Sequence, residues 1–194
     1  MRLILIRHPQ PLVAPGVCYG SSDLPTAPDD VERVLAELRS SASIASGAAR
    51  SSAPVVPPGT PLYSSPLQRC TALAHRLGAP VLDDRLAEMD FGAWELRSWD
   101  DIAHAEVDAW AADLVHYRPG GGENVLQVAA RVAAFRAELL RQPHRQAAIV
   151  CHAGTIRLLT ALQAGLPLPE TALRAAALPH KITYGEAVIL EASR

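Results

Sequence analysis

The sequence predicts an α/β fold: a mainly parallel central sheet with helices on both faces, forming a three-layer α/β/α sandwich. Three observations predict it. Runs of strand length are apolar at consecutive positions, Leu3-Ile4-Leu5-Ile6 first among them, as in strands buried on both faces. Stretches with helical periodicity separate these runs along the chain, in the order of βαβ units. The 194 residues fit one domain, and a chain of that size buries roughly 70% of its unfolded surface in a single core.

Taken in order, the first strand ends abruptly at Arg7-His8, and Pro9 removes a backbone donor and holds His8 extended. Residues 13–28, rich in Pro, Gly and Ser, read as an ordered loop. Asp29 with Glu32 forms a candidate capping box, and Val31, Val34, Leu35 and Leu38 follow at helical spacing. Residues 40–58 read as a weakly ordered helix end and a surface loop. A second strand covers Pro61-Leu62-Tyr63. Ser65 as N-cap, Pro66 at the first helical position and Gln68 at the third then start a helix that runs to Leu77 and stops at Gly78. Arg69 thereby falls in a first turn, beside free N–H groups and the positive end of the dipole.

Val81-Leu82 is a short third strand. Residues 84–99 set an aromatic cluster (Phe91, Trp94, Trp99) among three acids (Glu88, Asp90, Glu95), and Ser98 caps a helix through Trp110. Gly120-Gly121-Gly122 breaks the chain before a helix over about 123–141; with Glu123 it suits a substrate mouth and a plain connector equally. A strand at 147–150, a helix at 154–162 and extended segments at about 181–183 and 187–190 complete the chain.

Composition narrows the function classes. The chain is 49% hydrophobic and 20% charged with net charge −2, which suits neither nucleic acid nor an anionic membrane as partner. No stretch approaches the roughly 18 apolar residues of a membrane span. Cys18, Cys70 and Cys151 are too scattered for a disulfide framework or a zinc site. A reduced, cytoplasmic protein without metal or cofactor is expected, and Cys18 and Cys70 read as small buried hydrophobes. His75 lies in a helix pattern and reads as a packing or surface residue, His104, His116, His144 and His180 have no partner spacing, and Trp99 and Trp110 read as packing residues.

Four places in the chain carry matching chemistry. Arg7-His8 and Cys151-His152 follow strands, Arg69 opens a helix, and Glu88 lies among aromatics. In open α/β sheets ligands bind beyond the strand carboxyl ends, so all of these groups but Glu88 lie where they can share one rim. Two arginines and two histidines there make an electrostatic clamp for a phosphoryl group. Cationic surroundings would keep the imidazoles neutral, and a carboxyl among aromatics near a dianion can serve as general acid.

The successive segments Arg7-His8, Ser65 to Arg69 running into Thr71-Ala72, Leu86 to Glu95, and His152 to Arg157 resemble the motifs of the histidine phosphatase superfamily, the phosphoglycerate mutase-like group. The resemblance covers most of the chain. It implies a phosphoglycerate mutase-like fold, with about 84–122 as a lid or insertion over the site. It implies further that His8 attacks phosphorus to give a phosphohistidine. Arg7, Arg69 and His152 would hold the equatorial oxygens, and Glu88 would protonate the leaving alkoxide and then activate water. The loop from Pro15 to Pro25 is similar to that of α-ribazole-phosphatase-like members of the cobalamin pathway. Gln10, Tyr19, Gly20 and Ala153 are the candidate substrate contacts, and the partner implied is a small-molecule phosphomonoester. Three positions depart from the usual pattern: Pro9 stands where Gly follows the nucleophile, Leu96 where Gly follows Trp-Glu, and Ala153 where Gly is more usual.

Three other readings stay open from sequence. Cys151 and Arg157 satisfy the C-x5-R spacing of a cysteine-dependent phosphatase. A mutase would pass the phosphate on instead of releasing it to water. A module that binds phospholigands without turning them over would need only the clamp.

Overall fold

The computed structural model describes residues 1–40, 54–178 and 181–192. Among them a five-stranded sheet runs in the order β3-β2-β4-β1-β5. Its strands are β1 (Arg2–Arg7), β2 (Leu62–Ser64), β3 (Val81–Leu82), β4 (Gln146–Cys151) and β5 (Ala187–Glu191). All neighbours pair in parallel except β5, which lies antiparallel on β1. The helices are α1 (Pro28–Arg39), α2 (Gln68–Leu77), α3 (His104–Ala112), α4 (Val125–Arg141), α5 (Ala153–Ala161) and α6 (Leu168–Ala177).

The pleat of β1 divides the layers. Ile4 and Ile6 point into a core with Val34, Leu35 and Leu38 of α1 and Leu73 of α2. Leu3 and Leu5 point the other way, into a core with Val132 and Phe135 of α4, Ile156 of α5 and Ala172 of α6. All four β1 side chains are fully buried, so the uninterrupted apolar run is the signature of a strand covered twice. The three-layer, mainly parallel architecture is the one expected. No helix among the described residues is long and apolar enough to cross a membrane.

Several local expectations are corrected. Ala27, not Asp29, holds the N-cap of α1, with Pro28 at the first helical position; Asp30 accepts instead from Gln10 N and Arg33. α2 begins at Gln68 rather than Pro66, and Ser65 is not its cap. Its first N–H is taken by Asp23, which accepts from Gln68 N at 2.6 Å and from the Gln68 amide at 2.9 Å. Ser98 caps only the 3-10 turn Trp99–Asp101, and α3 starts afresh at His104. The capping box of α4 is Asn124 with Gln127.

α6 is not among the expected elements. Pro167 and Pro169 occupy its N-cap and first turn, where a missing N–H costs nothing. Residues 181–183 form no strand. The Ile182 carbonyl accepts from Arg7 Nη1 at 2.6 Å, and Glu186 turns back onto Thr183. Most of the 40–58 loop, and His180, lie outside the described residues.

Candidate active site

β1 and β4 are neighbours in register, Arg7 opposite Cys151, and His8 N donates to Cys151 O at 3.0 Å. The two residues just past that pair, His8 and His152, therefore emerge together. Their rings lie edge to face with centroids 5.0 Å apart. Both are buried.

Bonding assigns their protons. His8 Nδ1 lies 2.7 Å from Pro9 O, which can only accept, so Nδ1 carries the hydrogen and Nε2 keeps its lone pair. Burial lowers the His8 pKa well below the usual imidazole range. The charges of Arg69 and Arg7 lower it further, against a smaller upward pull from the Pro9 bond. His152 Nδ1 accepts from Arg69 Nε at 3.3 Å, and its Nε2 meets Ser65 Oγ at 2.8 Å. Burial, then the adjacent His8 and Arg69, hold it neutral as well.

Arg69, fully buried in the first turn of α2, is aimed by the loop before α1. Its Nη1 donates to Ser22 O at 2.7 Å and its Nη2 to Gly20 O. With the His152 bond, three of its five N–H groups are committed to protein. That loop is anchored in turn by Glu95, whose carboxylate accepts from the N–H groups of Gly20, Ser21, Ser22 and Phe91. Burial pushes the Glu95 carboxyl up, and these bonds with the Ser22 hydroxyl outweigh it, so the net shift is downward. Arg7 lies under the Tyr184 ring, 3.9 Å from its centroid, and Tyr184 O–H meets Tyr19 O–H at 2.8 Å.

Glu88 meets the start of α5. Its Oε2 accepts from Gly154 N at 3.0 Å, and its Oε1 from Met89 N at 3.1 Å. A Cβ at Gly154 would collide with that carboxylate, so glycine in the first turn of α5 is what admits Glu88. The segment bearing Glu88 hangs from Arg131 of α4, which donates to the carbonyls of Arg85, Ala87 and Glu88 and to both oxygens of Glu123. The three-glycine stretch serves as a backbone junction. Side chains at Gly92, Gly120 or Gly122 would drive into the opposing main chain.

A cavity of about 370 Å³ opens over these groups, lined by Arg7, His8, Arg69, Glu88 and His152. All five catalytic residues expected from sequence thus meet at one cavity. Of the expected substrate contacts, Tyr19 and Ala153 line it. Gln10 is exposed and lines a separate surface hollow, and Gly20 acts through its carbonyl on Arg69. Cys151 is fully buried in β4 with its thiol pushed well above the normal range, first by burial, which removes the thiolate a C-x5-R enzyme needs. Arg157 donates to the carbonyls of Ala175 and Ala176 at the end of α6. Sequence reasoning passes over Ser65 and Gly154, and it reads Trp99 and Trp110 as packing, although both line the cavity. The run Ser65-Pro66 has the form of a helix cap, which hides the serine's link to His152.

The chain matches the model of the histidine phosphatase superfamily (branch 1) over residues 3–183. It is 35% identical over 127 residues to a glucosyl-3-phosphoglycerate phosphatase of Mycolicibacterium vanbaalenii, an alignment covering 55% of this chain and 54% of that one. The crystal structure of the α-ribazole phosphatase from Shigella flexneri superposes with a TM-score of 0.69 at 26% identity, covering 88% of this chain and 83% of that one. A phosphoglycerate mutase from Thermus thermophilus has the same fold, with a TM-score of 0.69 at 24% identity and coverage of 98% and 93%. The chain spans about half the length of the curated relatives it matches.

Proposed function

The chain belongs to the histidine phosphatase superfamily, and from that membership and the site we propose that it is a phosphomonoesterase working through a phosphohistidine. The observation that carries this reading is the His8 imidazole: buried and neutral, with Nδ1–H on Pro9 O and the Nε2 lone pair free, beside Arg7, Arg69 and Glu88.

In the first step His8 Nε2 attacks phosphorus, the P–O ester bond breaks, and the Glu88 carboxyl gives its proton to the departing alkoxide. In the second, the Glu88 carboxylate takes a proton from water, the water oxygen attacks phosphorus, and the P–N bond breaks. Inorganic phosphate leaves and both residues return to their starting forms. Arg7, Arg69 and His152 are the partners of the equatorial oxygens, whose charge grows in the transition state. General acid catalysis of this kind contributes about 10²- to 10⁴-fold. The segment 84–122 is the proposed cover of the site, supported by Phe91, Trp99 and Trp110 in the cavity wall. A small-molecule ester in the cytoplasm is the proposed setting. α-Ribazole 5′-phosphate heads the panel of candidate esters, because an α-ribazole phosphatase is among the similar structures.

Hydrolysis of p-nitrophenyl phosphate in EDTA tests the reading. His8→Ala is expected to lose at least about 10³-fold in kcat, the loss typical of removing a nucleophile, while Cys151→Ser stays within a few-fold of wild type. A mass increase of one phosphoryl group on His8 after an acid-free quench accompanies turnover. Survival of His8→Ala with loss of Cys151→Ser would overturn it, as would complete inactivity of the wild type against p-nitrophenyl phosphate and the natural-ester panel.

A further inference from the structure

Beyond the clamp, most of the cavity lining is apolar. Trp99 and Trp110 stand on the same wall with ring planes within 5° of parallel and centroids 6.1 Å apart. Phe91 meets both edge to face, at 6.3 and 5.8 Å. Leu114, Val125 and Leu158 continue the lining. Trp99, which also meets Trp94 edge to face at 6.1 Å, keeps 36% of its surface exposed and lines the cavity.

The polar groups of the lining are nearly all engaged. Arg7, His8, Arg69, Glu88 and His152 belong to the clamp, the Tyr19 hydroxyl pairs with that of Tyr184, and Arg157 is fixed on the carbonyls of Ala175 and Ala176. Outside the clamp, the buried indole N–H of Trp110 is a lone donor without a partner among the described residues. A hydroxyl-rich sugar or a second carboxylate placed against this wall would give up its water without equivalent partners. A flat apolar ring gives up little water there and gains stacking and buried area.

We propose that the ester cleaved here carries a flat aromatic ring on its alcohol half, seated against Trp99 and Trp110 as the specificity-determining side chains. The proposal rests on the phosphomonoesterase reading and selects within it.

The test compares 2-phenylethyl phosphate with 3-phosphoglycerate and glycerol 1-phosphate, whose leaving alcohols have comparable basicity, in wild type, Trp99→Leu and Trp110→Leu. Leucine keeps apolar bulk in the wall and removes the ring face, so folding is preserved better than with alanine. Wild type is expected to favour the phenylethyl ester by at least about tenfold in kcat/KM, and each variant to cut that preference ratio about fivefold or more, chiefly through KM. Preference for 3-phosphoglycerate or glycerol 1-phosphate, or an equal loss on every ester in both variants, overturns the aromatic seat while His8-dependent turnover keeps the phosphatase reading intact. Titrating 2-phenylethyl phosphate into His8→Ala protein by tryptophan fluorescence reads the seat without turnover. Saturable quenching that weakens in the His8→Ala, Trp99→Leu double variant is expected, and its absence overturns the proposal whatever the chemistry at His8.

Discussion

His8 is set for attack by its immediate neighbours before any ligand arrives. Burial first, then Arg69 and Arg7, keep the ring neutral, and Pro9 fixes its tautomer through a carbonyl. Proline in place of the usual glycine thus removes an N–H but retains the acceptor that the imidazole uses. Leu96, a second departure, does carry strain. Its φ of 63° is the single positive value at a non-glycine among the described residues, its side chain is exposed, and its N–H is fixed on Cys18 O. A left-handed leucine costs about 1–2 kcal/mol, and glycine's looser unfolded chain takes back part of what removing that strain would gain. Leu96→Gly should therefore stabilise the protein by a net of about 0.5–1 kcal/mol in urea unfolding. An unchanged or lower midpoint would mean the strain is relieved elsewhere in the turn.

At the scale of elements, the site is a set of loops held by partly buried charges on rigid supports. Glu95 ties the loop that aims Arg69, and Arg131 on α4 ties the segment that presents Glu88. Burial raises the Glu123 carboxyl and the Arg131 bonds lower it more, so the pair stays ionic beneath that segment. Lysine would keep the charge at 131 but not the planar fork that reaches three carbonyls and a carboxylate at once. In Arg131→Lys, hydrolysis of an alkyl ester should fall about tenfold and that of p-nitrophenyl phosphate about twofold, because only the poor leaving group needs a well-placed acid. Equal losses on both esters, measured as kcat, would assign Arg131 to folding alone.

For the whole molecule, two neutral imidazoles at the centre of the sheet rim make stability depend on pH. Their folded pKa values are lowered, so below about 6.5, the unfolded value, the unfolded chain binds protons that the folded one refuses. Stability is fully present above that value and declines as pH falls from about 6.5 toward the folded pKa values, by up to about 2.7 kcal/mol per pH unit for two such groups. Urea midpoints between pH 7.5 and 5.5 check this, and a double variant His8→Asn, His152→Asn should flatten the slope. At this scale sequence and tertiary structure also contribute different things. The apolar runs at 3–6 and 147–150, the helical spacing of Val31 to Leu38, and the reactive residues at strand ends and a helix start are local chemical facts. With Glu88 set among aromatics, they are enough to predict the sandwich and the five residues that line its cavity. What escapes are bonds between residues distant in the chain. Asp23 takes the start of α2 from 45 positions away, and Ser65 abandons its helix to meet His152 from 87. The indole rings that read as packing line the cavity because α3 lies against the three-glycine junction and the Trp99 N–H is fixed on Gly16 O. Periodicity along one segment reports which face is buried, whereas a partner across the core becomes visible only once the sheet has set the two segments side by side.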